Sequence, residues 1–236
     1  MAPLRDSTEK LGAQLEARLA FDFSTPEKGF DRSRVKGLVA RLVTVTAPSA
    51  SSALEITAGA KLYQVVVDNE TTGKLLLEKG KLRKRVTILP LNKLNSRVTD
   101  PSRVSKAKEI AAAKGGRANL ALELVGYDDE VLKAVQHCFG ATIICDRPDI
   151  AEAIAFHPQV RNKTVTLDGD SYDPSGTLTG GSKANLGETL HKVYTAYTTR
   201  TTYTPLVILD SPRNTSTSYC SVSRYNYYYD YYDHSF

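Results

Sequence analysis

From position 35 onward, apolar residues come in short runs that change period, not in one sustained stripe. VKGLVARLVTV (35–45) has the β-branched bias of a strand. Ser51–Gly59 reads as a helix opened by serines and closed by glycine. LYQVVVD (62–68) is the continuous apolar run of a buried strand. Residues 69–79 predict a helix, and RVTILPL (85–91) a strand ended by Pro90. After a long connector the alternation resumes. Pro101–Lys114 predicts a helix, with proline at its start and Gly115-Gly116 past its end. Then come a strand at NLALELV (119–125), a helix at 128–139, a strand at ATIICD (141–146) and a helix at 149–156. TVTLDGDSYD (164–173) predicts a hairpin turning at Asp168-Gly169. The fold class expected is mixed α/β (α+β), in two lobes at about 35–98 and 99–184 joined by a basic segment.

The flanks read differently. Residues 1–20 place Leu4, Leu11, Leu15 and Leu19 on one helical stripe, consistent with the last turns of a coiled coil. Residues 21–34, beginning FDFSTPEKGFD, form a Ser/Pro/Gly connector that ends this helix. At the other end, 185–192 begins a further helix. The last 44 residues (193–236) hold ten of the thirteen tyrosines and neither lysine nor glycine. This tail reads as out-of-frame or intron-derived translation, or a truncation artefact; a natural disordered tail is the alternative.

Composition narrows the setting. With 41% hydrophobic residues over 236 positions the chain can bury a core. No apolar stretch reaches the length of a membrane span, so no membrane role is expected. Three cysteines, Cys138, Cys145 and Cys220, do not make a disulfide framework and point to a reducing compartment. Charge is unevenly placed. Thirteen Lys/Arg face three acids between Lys74 and Arg117, an excess of +10 in a chain of net charge +5. Such asymmetry fits one polyanion-facing surface. Its strongest stretch is Lys79, Lys81, Arg83, Lys84 and Arg85, with Lys93 and Arg97 beyond. These residues are the candidate nucleic-acid contacts, for non-specific binding through phosphates; a solvated face is the plainer reading.

Candidate chemistry is thin. LTGGS (178–182) approaches an ATPase signature loop, which would make the chain a nucleotide hydrolase. The nearest P-loop match, around Thr72-Gly73-Lys74-Leu75, has Asp68 for its first glycine and Leu75 for its hydroxyl, so a helix starting near Asn69 is preferred. Asp168, Asp170 and Asp173 suggest a calcium loop, but positions 6 and 12 are Asp173 and Thr179, which favours turns. His137, Cys138, Cys145 and His157 lack paired metal spacing and read as core. No catalytic residue, metal ligand or cofactor is assigned.

ALEITAGAKLYQVVVD (53–68), RVTILPLNKL (85–94), LKAVQHCFGATIICD (132–146), AEAIAF (151–156) and LDGDSYDPSGTLTGG (167–181) together resemble the SMC hinge domain, of condensin rather than cohesin type. The resemblance spans about 30–184. It implies a doughnut-shaped hinge that pairs with a partner condensin SMC hinge at the apex of two long antiparallel coiled coils. It places Gly176, Thr177, Leu178, Thr179, Gly180 and Gly181 at the dimer contact. It also implies affinity for single-stranded DNA, a place on chromosomes in the nucleus (in part cytoplasmic) and a role in condensation. Both ATPase head halves of such proteins are missing here, so no enzyme activity is expected of this chain. A stand-alone nucleic-acid-binding module that never pairs with a hinge is the alternative.

Overall fold

The computed structural model describes residues 17, 19–181, 189 and 190. All lie within the unit Met1–Tyr203, whereas the second unit, Thr204–Phe236, falls outside the described residues. Most of the predicted N-terminal helix, most of the returning helix predicted at 185–192 and the tyrosine-rich tail lie outside the description as well. Ala17, Leu19, Thr189 and Leu190 are helical.

Among the described residues the strands are β1 (Val35–Leu38), β2 (Val43–Val45), β3 (Val65–Val67), β4 (Ile88–Pro90), β5 (Ala118–Leu120), β6 (Val125–Tyr127), β7 (Thr142–Cys145), β8 (Lys163–Thr166), β9 (Ser171–Tyr172) and β10 (Leu178–Thr179). Six helices intervene: α1 (Val39–Leu42), α2 (Ser51–Ala58), α3 (Glu70–Lys79), α4 (Pro101–Ala113), α5 (Leu132–Phe139) and α6 (Pro148–Ala155). One sheet runs β1-β3-β4, a second β10-β9-β8-β7-β5, and β2 pairs with β6 in a third.

The order repeats itself. In each half a strand lies antiparallel to a second, which after a helix lies parallel to a third: β1, β3 and β4, then β5, β7 and β8. The two halves meet at β2 and β6, where Val43 faces Tyr127 and Val45 faces Val125. Only the second half adds a hairpin, β9–β10, to its sheet.

Two predicted strands are broken. Residues 35–45 divide into β1, the helical turn α1 and β2, and residues 119–125 divide at a 3-10 turn, Ala121–Leu124. The cause is sheet switching. Leu38 pairs with Val65 in one sheet and Val43 with Tyr127 in another; likewise Leu120 pairs with Ile143, and Val125 with Val45. A helical turn carries the chain between sheets while keeping Val39, Ala40 and Ala121 buried.

Caps fix the helices. The Asn69 side chain accepts from the Thr72 amide (2.9 Å) and so starts α3, which places Thr72-Gly73-Lys74 inside a helix and not in a phosphate loop. The Asp100 carboxylate accepts from the Ser102 amide (2.8 Å) ahead of Pro101 and starts α4. Two apolar clusters hold these elements. The larger joins Leu54, Leu62 and Val65–Val67 to Val135, Phe139, Ile144 and Leu190, so it runs across the 98/99 boundary. The smaller packs α4 and α6 on β5 and β7 through Ala107, Ala111, Ile143, Ile150 and Ile154.

Phe139 is fully buried in the larger cluster. Phe139→Ala should lower stability by about 3–5 kcal/mol, read as a fall in the urea midpoint at an unchanged slope.

Candidate partner-binding edge

The second sheet ends in a loop shaped by its own side chains. Asp173, Pro174, Ser175 and Gly176 form a turn in which the Gly176 amide donates to the Asp173 carbonyl (2.9 Å). Asp173 Oδ1 accepts from the Ser175 amide (2.9 Å) and also from its hydroxyl. These donors, the hydroxyl first, hold the Asp173 carboxyl below the usual aspartate range. Gly176 has φ +101°, which a side chain would resist. The Asp173 amide then donates to Thr177 (2.9 Å), and β10 folds back with Leu178 opposite Tyr172 and Thr179 opposite Ser171.

Residues 176–181 are all exposed, and Leu178 keeps 62% of its surface accessible. β10 has a partner on one side alone among the described residues. The three glycines of this stretch serve different ends. Gly176 and Gly181 (φ +103°) adopt left-handed backbone with open space where a Cβ would point. Gly180 lacks that conformation; a Cβ there would run into the Asp170 carboxylate. Sequence reasoning placed Asp170 only in a possible calcium loop. Its neighbours instead form turns: the Gly169 amide donates to the Thr166 carbonyl, with Gly169 at φ +101°, before β9 begins. Among the described residues no cluster of His, Cys, Asp and Glu is arranged to hold a metal.

The basic residues lie elsewhere. Lys79 ends α3; Lys81, Arg83, Lys84 and Arg85 occupy the exposed loop leading to β4; Lys93 follows β4, and Arg97 lies in the connector to α4. Lys79 approaches Glu27 (3.9 Å) and Lys93 approaches Glu70 (3.7 Å), both as exposed pairs worth little. Lys81, Arg83, Lys84, Arg85 and Arg97 form no ion pair among the described residues. Lys81 holds φ +47°, just past the end of α3. Residues 21–31 brace this loop, since the Ser24 amide donates to the Gly80 carbonyl (2.9 Å). Beside that contact Arg32 stacks on Phe23, 4.2 Å from the ring centre. The sequence had marked that segment only as a connector.

The two described cysteines, Cys138 and Cys145, are buried and offer no reactive site; Cys220 lies outside the described residues. Burial pushes the Cys138 thiol up to about 11 and the Cys145 thiol to about 12. Burial likewise lowers the His137 pKa, with Lys61 adding to the effect.

The family model for the flexible hinge domain of SMC proteins matches residues 32–155. The chain belongs to the SMC hinge family. This hinge is 54% identical over 168 residues to Structural maintenance of chromosomes protein 2 of Schizosaccharomyces pombe, covering 70% of this chain and 14% of that protein. It is 50% identical over 191 residues to protein 2-1 of Arabidopsis thaliana, covering 81% of this chain and 16% of that one. The chain thus spans about a seventh of the length of these relatives. Among solved structures, the SMC hinge of Geobacillus stearothermophilus, an asymmetric dimer, superposes with a TM-score of 0.59 at 24% identity, covering 84% of this chain and 83% of that one. The expected family and the mixed helix-and-sheet class are therefore both found. A hinge of this family is not a catalytic domain, and the ATPase reading of LTGGS gives way to an edge strand, since Leu178 and Thr179 form β10.

Asp173→Ala should loosen the β9–β10 hairpin without melting the core. Hydrogen exchange at the Asp173 and Gly176 amides should speed up, with Val66 and Ile144 unchanged. In the unaltered chain the carboxylate's lowered pKa gives protection that is complete above the unfolded aspartate value of about 3.9 and lost as pH falls through the folded one.

Proposed function

We propose that this chain is the dimerisation hinge of a condensin-type SMC subunit, pairing with the hinge of a second SMC subunit along β10. The observation that carries this is an exposed edge strand with an exposed leucine, flanked by glycines that leave its backbone bare. Such an edge presents unpaired N–H and C=O groups that a second chain can complete. Residues 176–181 supply the contact, and Leu178 supplies apolar area at its centre. The dimeric state of the bacillar hinge supports this reading. In it, the lobes 35–98 and 99–184 form the ring half, and the segments at 1–20 and 185–192 root the two arms of a coiled coil. ATP hydrolysis belongs to head domains of the longer protein. The names of the relatives support work on chromosomes in the nucleus.

A second activity rests on a separate observation. The loop 81–85 holds four cations that no acid neutralises among the described residues. It is a non-specific DNA-binding surface, preferring single strands, that acts through phosphate contacts.

Gly180→Asp together with Gly181→Asp should abolish co-elution with a condensin partner hinge in size-exclusion chromatography while the circular dichroism spectrum stays the same. Unchanged co-elution would remove β10 from the interface.

Charge reversal of Lys81, Arg83, Lys84 and Arg85 to Glu should weaken oligonucleotide binding by roughly tenfold or more at low salt, and should flatten its salt dependence. Equal affinity before and after would leave the loop as solvated charge.

A further inference from the structure

Thr87 stands between the basic loop and β4. It is exposed, its backbone carbonyl accepts from the Val65 amide (2.9 Å), and its hydroxyl has no partner among the described residues. Arg85, Lys84 and Arg83 precede it by two, three and four positions, all exposed and free of ion pairs among the described residues. The segment 85–87 has no regular structure, and the strand it enters is the outermost of its sheet. Other described hydroxyls with nearby cations differ. Ser33 is tied to Asp31, Thr44 to the Gly126 carbonyl and Ser96 to Gln136, whereas Ser105 lies within α4.

We propose that Thr87 is a phosphorylation site for an arginine-directed serine/threonine kinase. Guanidinium groups two to four positions before an acceptor match the carboxylate-lined pockets by which such kinases select substrates, through paired charge-assisted hydrogen bonds. The free hydroxyl on an exposed, irregular segment lets the transfer proceed without unfolding a helix or breaking a side-chain bond. Thr87 Oγ1 attacks the γ-phosphorus of ATP. The new O–P bond forms as the bond to the β,γ-bridging oxygen breaks, ADP leaves, and the hydroxyl proton passes to the kinase's catalytic aspartate. The product places about −1.5 to −2 charges beside the cations of the loop, within reach of Arg85. The site stands on exposure and sequence context alone, and does not depend on the nucleic-acid reading.

The test incubates the full chain with ATP and a kinase of the cyclic-AMP-dependent type, followed by site-resolved mass spectrometry. Phosphate should accumulate on Thr87 of the native chain and be absent from that position in Thr87→Val. The rate should fall roughly tenfold or more in Arg83→Gln with Arg85→Gln, the loss of one or two charge-assisted contacts. No phosphate at Thr87, phosphate there only after unfolding in urea, or a rate indifferent to the arginine changes would overturn the assignment.

Discussion

Every open sheet leaves its outermost strand with half its backbone hydrogen bonds unmade. In this hinge one such outermost strand is β10, a two-residue strand with an exposed leucine and glycines on both sides. Many proteins blunt such an edge with charge, proline or a covering helix. Here the residues do the reverse, for Leu178 and Thr179 carry no charge and Gly180 and Gly181 remove side-chain bulk. The turn that presents β10 is held by Asp173 and by a glycine at positive φ, so the edge is built to a fixed shape. The proposed pairing with a second hinge follows from that combination.

The fold explains why only one half has this edge. Both halves follow the same strand and helix order and meet at β2 and β6. Only the second half continues into β9 and β10. The extension comes after β8, where Gly169 turns the chain back and Gly176 turns it again. The basic loop sits in the first half, between α3 and β4, and residues 21–31 brace its base. The proposed protein pairing and the proposed polyanion contact thus draw on different segments, and a change in one need not disturb the other.

Much of this was legible in the chain. The helix start near Asn69 was read, and Pro101 with Gly115-Gly116 bracketed α4, because capping chemistry is local. The breaks at 39–42 and 121–124 were not legible. An apolar run reads alike whether it serves one sheet or crosses between two, and only the pairing of β2 with β6 decides. The reason for Gly180 was also hidden. Its constraint is the Asp170 carboxylate, ten positions away and brought close by two turns. The bracing of the basic loop by residues 21–31 likewise depends on a contact distant in sequence.

The central claim is that β10 is where a second hinge joins. Hydrogen–deuterium exchange of this hinge, alone and in complex with a condensin partner hinge, measures it directly at the amide of Leu178, which faces away from β9 while the Thr179 amide faces Ser171. The Leu178 amide is expected to exchange rapidly in the free chain and to become strongly protected in the complex, while amides of α4 do not change. A stable complex in which the Leu178 amide exchanges as fast as before would contradict the pairing.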